Sequence, residues 1–119
     1  MSKQRPMDKG YLIMFVVIFE VEPADGQSDT YFDRAAALKE ELGKIDGFIS
    51  VERFESVTNT GKYLSLSTWR DEKAIETWYR QFDHAGAQRD GRGGIFRDYR
   101  IRVANVIRDY DMSAGRPDI

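Results

Sequence analysis

Apolar and polar positions along this chain follow two different rhythms, and the switches between them mark six elements. Tyr11–Phe19 (YLIMFVVIF) is an unbroken apolar run rich in Val and Ile, and the segment through Val21 reads as a strand covered on both faces. Pro23-Ala24-Asp25-Gly26 is a turn cluster. Ser28 or Asp29 then caps a helix that begins near Thr30, with Tyr31, Ala35, Leu38 and Leu42 forming one apolar stripe. Gly43 stops that helix, and Asp46-Gly47 turns the chain. Phe48–Val57 and Lys62–Arg70 read as strands joined by the hairpin loop Thr58-Asn59-Thr60-Gly61. In the second of these, Leu64, Leu66 and Thr68 share one face, and Tyr63, Ser65, Ser67 and Trp69 the other. Asp71 caps a second helix whose apolar positions are Ile75, Trp78, Tyr79 and Phe82. A loop over Asp90–Gly94 leads to a long last strand, Phe96–Tyr110.

The order β-α-β-β-α-β is the split-βαβ, ferredoxin-like arrangement of an α+β protein: a four-stranded antiparallel sheet with both helices on one face. The opposite face then meets solvent or a partner. A first strand without a polar residue over nine positions is not suited to having one face in water. A second copy packed face to face buries it, so a homodimer through the open sheet face is the expected assembly.

Composition narrows the function. The chain has 119 residues, one domain's worth, taken as a domain over 11–110 between a flexible N-terminal arm (1–10) and a polar C-terminal tail (111–119). It contains no cysteine, which excludes disulfides, thiolate metal sites, iron–sulfur clusters and a cysteine nucleophile. A net charge of −2 disfavours a global nucleic-acid or membrane-surface role, and the third strand lacks the aromatic-basic signature of RNA-recognition modules. The apolar run is far shorter than the ~20 residues a membrane-spanning helix needs, and no cleavage-site pattern follows it, so a cytoplasmic protein is expected. No glycine-rich phosphate loop is present, and one histidine without patterned acids does not make a metal site. No cofactor and no metal are expected.

The run Asp46-Gly47-Phe48-Ile49-Ser50-Val51-Glu52-Arg53-Phe54-Glu55-Ser56, with Ser65-Leu66-Ser67, Trp69-Arg70-Asp71-Glu72, His84, Ala87-Gln88 and Phe96-Arg97-Asp98-Tyr99-Arg100, resembles the antibiotic biosynthesis monooxygenase family. The resemblance covers about residues 11–110 and implies a dimeric α+β barrel. It also implies cofactor-independent oxygenase chemistry on a hydrophobic aromatic or quinol-like small molecule, although the family also includes haem-degrading oxygenases and proteins without assigned activity. The haem-degrading branch carries a Trp on the second helix, a ligating His ten residues later and an Asn on the first strand. Trp78 matches the Trp, but Gln88 stands at the His position and Phe19 about where the Asn would lie. His84 follows Trp78 by only six residues, which is the wrong side of a continuous helix.

Within that reading the candidate residues are few. His84 is the one side chain whose ordinary pKa of ~6.5 suits proton transfer at neutral pH, as a general base or else as a plain helix-end histidine. Trp78 is a wall for a planar ligand or a core residue on the helical stripe; Trp69 borders the same cavity or packs at the sheet end. Phe82 and Gln88 complete the substrate-binding set. Arg89 or Arg100 is the cation for a developing enolate or phenolate oxygen. The bland reading of the late arginines is ion pairing across strands or subunits with residues such as Glu52 and Glu55. A non-catalytic dimeric small-ligand-binding or stress-response module is the alternative function.

Overall fold

The computed structural model describes residues 14–84 and 94–115, with residues 82–84 described by their backbone alone. Four strands and two helices follow in the order β1 (Phe15–Pro23), α1 (Ser28–Leu42), β2 (Phe48–Glu55), β3 (Tyr63–Trp69), α2 (Glu72–His84) and β4 (Phe96–Asn105). The sheet order is β2-β3-β1-β4, and every neighbouring pair is antiparallel. The α+β, ferredoxin-like arrangement expected from the apolar pattern is the one adopted. No helix among the described residues is long and apolar enough to cross a membrane.

Register assigns the faces. Phe15, Val17, Phe19 and Val21 of β1 point to the helices, and Val17 and Val21 are each 1% exposed. Val16, Ile18 and Glu20 point the other way and are half-buried, so within one chain β1 is covered on one face and not on both. On β3 the expected division holds: Trp69 and Ser67 are buried toward the helices, while Leu64 and Leu66 lie opposite Glu20 and Ile18 on the open face. Two core clusters lie between sheet and helices. One joins Val17, Leu42, Ile45, Trp69, Ala74 and Ile75; the other joins Val21, Tyr31 and Ala35.

Several boundaries differ from the sequence reading for identifiable reasons. β1 runs through Glu22 and Pro23 because β4 continues to pair with them, with an irregularity between the two. Its expected start at Tyr11 lies outside the described residues. β4 ends at Asn105 rather than Tyr110, because Asn105 is opposite Phe15, the first residue of β1. One further bond, from Val106 N–H to the Met14 carbonyl at 2.9 Å, closes the ladder. α1 begins at Ser28 with Gln27 at the N-cap, which makes no side-chain capping bond. At the other end α1 stops at Gly43 as expected, with right-handed geometry at that C-cap, and the expected Asp46-Gly47 turn carries the reversal, with φ of 98° at Gly47. A Cβ there would stand 2.7 Å from the Cβ of Ala74, so the position needs both the conformational freedom of glycine and its missing side chain. The other helix cap is as expected: Asp71 Oδ1 accepts the Ala74 N–H at 2.8 Å.

Candidate functional site

The sheet face under the helices carries most of the aromatic side chains. At the end where β3 passes into α2, Trp69 is 0% exposed and its indole N–H donates to Ser67 Oγ at 2.8 Å. Trp78, one helical face along from Ile75, stacks on Trp69 with ring centroids 5.6 Å apart and planes 26° from parallel. Tyr79 follows at 5.2 Å from Trp78. The Tyr79 hydroxyl is buried with no hydrogen-bond partner among the described residues, and burial pushes the phenol pKa up.

Toward the other end of the same face stands Tyr31 of α1, ringed by Tyr63, Phe32 and Phe96 at centroid distances of 6.1, 5.3 and 6.0 Å. Arg53 of β2 donates from Nε to Tyr31 Oη at 3.2 Å and lies 5.6 Å from the ring centroid. Burial raises the Tyr31 pKa, and the Arg53 hydrogen bond opposes that rise. On the β4 side of this face Ile101 and Val103 remain 41% and 43% exposed.

These positions sort the expected site residues. Trp78 is half-buried on α2. Trp69 is core: its surface is wholly enclosed, and its polar atom is satisfied internally. Phe82 and His84 occupy the last turn of α2, where only the backbone is described. Gln88 and Arg89 lie outside the described residues. Arg100 sits opposite Glu20 on the open face of the sheet, the reverse side from Trp78. The structure therefore does not bring Arg100 and Trp78 together within one chain.

The open face has its own pattern. Val16, Ile18, Leu64, Leu66 and Phe54 form an apolar area, with Phe54 44% exposed. Glu20 interrupts it, pairing with Arg102 at 3.1 Å and with Lys62 at 3.4 Å. Its pKa is lowered; burial raises it, and the two cations outweigh that. Within one chain, Arg97 pairs with Glu22 and Asp25 and Arg102 with Glu20, and neither pairs with Glu52 or Glu55. Two shallow cavities border this cluster. One of about 130 Å³ is lined by Glu20, Lys62, Asp98 and Arg100 among others, and one of about 290 Å³ by Phe54, Asn59, Lys62 and Leu64 among others. Neither touches Trp69 or Trp78. No group of three His, Cys, Asp or Glu side chains among the described residues is placed to hold a metal.

Arg53 and Tyr31 were not marked by the sequence as a site. The signal was a basic residue two positions after Val51 on the helix-side face of β2, obscured because the β2 register shifts between Phe48 and Ser50.

Comparison with known proteins gives the lineage. The profile of the antibiotic biosynthesis monooxygenase family matches residues 14–90. Jasmonate monooxygenase ABM of Pyricularia oryzae is 47% identical over 93 residues, which are 78% of this chain and 43% of that protein. The chain therefore spans less than half the length of that relative. The uncharacterized protein YqjZ of Bacillus subtilis is 28% identical over 95 residues, covering 79% of this chain and 80% of its own. Among solved structures, a Deinococcus radiodurans protein superposes with a TM-score of 0.72 at 11% identity, over 82% of this chain and 97% of its own. Rv0793 of Mycobacterium tuberculosis does so with a TM-score of 0.69 at 18% identity, over 82% and 99%. At those identities the likeness is one of fold.

Proposed function

Because the chain belongs to the antibiotic biosynthesis monooxygenase family, we propose that it is a cofactor-independent monooxygenase acting on a hydrophobic small molecule. Its substrate class is an aromatic or quinol-like compound. The relative named as a jasmonate monooxygenase adds a largely apolar carboxylate as the second class to test. The observation that carries this reading is the placement of half-buried Trp78, stacked on the fully buried Trp69, on the helix that ends at His84. A planar ligand laid against Trp78 meets a rigid aromatic surface on the same helix as the single histidine of the chain.

In this reading His84 takes a proton from an activated C–H or phenolic O–H of the substrate. The resulting anion, a carbanion or a phenolate whose charge is delocalised onto ring carbon, is electron-rich enough to reduce dioxygen itself. A C–O bond forms, giving a hydroperoxide that takes up the proton held by His84. For a methylene substrate, loss of water from the hydroperoxide leaves a ketone, so one oxygen atom enters the product and the other leaves as water. Arg89 is the oxyanion partner, because Arg100 projects from the opposite sheet face. Phe82 and Gln88 complete the surroundings of the substrate. The open face, with its apolar residues and the Glu20 cluster, is covered by a second copy of the chain, so the working unit is a homodimer of the 11–110 domain.

The test is oxygen uptake by purified protein with anthrones and quinols, alongside product mass. Uptake with a product one oxygen heavier and two hydrogens lighter is the expected result for an anthrone. Absence of uptake across both classes and with jasmonate would leave the non-catalytic binding module.

A further inference from the structure

Four exposed arginines are matched by acids. Arg70 pairs with Asp46 and Asp71, Arg80 with Glu76, Arg97 with Asp25 and Glu22, and Arg102 with Glu20. Arg53 is the one half-buried arginine among the described residues, and no carboxylate among them reaches it within salt-bridge distance. Glu55, two residues along on the same strand face, is exposed and makes no pair with it. A cation held partly out of water without a counter-charge is costly, and such groups are ordinarily paired.

Its geometry is nevertheless fixed. β2 carries Arg53 on the helix-side face, where Val51 packs against the core and Ser65 lies directly across the ladder. Tyr31 holds one edge of the guanidinium through the Nε–Oη hydrogen bond and lies against the cation. Tyr31 is in turn only 5% exposed and locked among Tyr63, Phe32 and Phe96. Nη1 and Nη2 have no acceptor among the described residues. A guanidinium pinned at Nε, with its two terminal nitrogens open and aromatic rings beside it, matches a carboxylate on an apolar body.

We propose that Arg53 binds the carboxylate of an otherwise apolar ligand through Nη1 and Nη2, with Tyr31 as its positioning residue. This rests on the reading that the chain binds a small hydrophobic substrate, and it names the charge that substrate carries. Arginine rather than lysine suits the role because a planar fork grips both carboxylate oxygens.

The test compares jasmonate with its methyl ester, which differ in the charge, by titration calorimetry. Wild-type protein is expected to bind the acid at least about tenfold more tightly than the ester, and Arg53→Gln to bring the two within about twofold. Circular dichroism confirms that the variant is folded. If it is not, Arg53→Lys, which keeps the charge and loses the fork, decides the matter by a severalfold fall in the preference. Tyr31→Phe is expected to lower the preference partway, because the ring remains and the Nε anchor is lost. Full acid preference in folded Arg53→Gln, unchanged preference in Arg53→Lys, equal binding of acid and ester by wild type, or binding of neither, overturns the proposal. Oxygen uptake by wild type with a neutral anthrone reads the oxygenase assignment separately. Uptake without acid preference overturns the Arg53 site alone; an acid preference that Arg53 carries, without uptake from any substrate, overturns the oxygenase reading alone.

Discussion

Arg70 and Asp46, 24 residues apart, meet in a two-pronged contact: Nη1 and Nη2 of the guanidinium donate to Oδ1 and Oδ2 of the carboxylate, each at 3.2 Å. Arg70 Nε donates to Asp71 Oδ2 at 2.8 Å, while the other oxygen of Asp71 caps α2. The turn before β2 is thereby tied to the first turn of the helix that carries Trp78. The backbone repeats the tie, with Arg70 N–H donating to the Gly47 carbonyl at 2.7 Å.

Asp71 links this tie to pH. Its pKa is lowered, chiefly by the Arg70 hydrogen bond and then by the Ala74 N–H. A carboxyl whose folded pKa is depressed contributes stability fully above its unfolded value, about 3.9, and loses it as pH falls through the folded value. Asp71→Asn keeps a capping oxygen and removes the titration, so its stability declines less steeply than wild type below about pH 4. Asp71→Ala loses the cap and is less stable by ~1 kcal/mol at neutral pH. Urea unfolding at several pH values checks both.

Gly47→Ala combines a positive φ with a Cβ driven into Ala74. A cost of roughly 1–3 kcal/mol is expected, seen as a lower urea midpoint with an unchanged slope. The same change at Gly61, where φ is also positive but the space is open, costs less.

Ser67→Ala removes the acceptor of the Trp69 indole N–H inside the core. Leaving that donor buried and unpaired costs about 1–3 kcal/mol. Ser67→Thr keeps the oxygen and is better tolerated than Ala, which thermal melts of the two variants distinguish.

Neighbouring residues on β1 separate folding from assembly. Val17→Lys places a charge in the helix-side core and is expected to prevent folding. Ile18→Lys places one on the open face, and gives a folded monomer if a second copy covers that face. Sedimentation velocity of Ile18→Lys beside wild type decides it, and a wild-type monomer at micromolar concentration would contradict the homodimer.

His84→Ala is expected to keep the fold and to lower turnover ~10²–10⁴-fold on any substrate that supports oxygen uptake, the usual cost of removing a general base. Unchanged turnover would place the base elsewhere.

The sequence pattern was a good guide wherever period alone decides. The alternation over Tyr63–Trp69 assigned every β3 face, and Asp71 announced its cap. It was a poor guide where register decides. In β2, Phe54 faces outward with Glu52, while Arg53 turns inward with Val51, and a local shift after Phe48 is invisible to a two-residue count. Trp69 shows another limit: the sequence shows an aromatic residue at a strand end but not whether a neighbouring serine satisfies its indole and seals it in. Arg100 shows a third, since its sequence position did not reveal that it lies on the sheet face opposite to Trp78.

The shifts in strand pairing have a consequence for behaviour in a crowded solution. β2 and β4 are the outer strands of the sheet, each presenting unpaired backbone groups that invite another chain to join the ladder. β2 blunts that invitation with the irregularity after Phe48, and β4 with Arg97, Asp98, Arg100 and Arg102 in close succession. Sideways growth into fibrils is thereby discouraged at both edges.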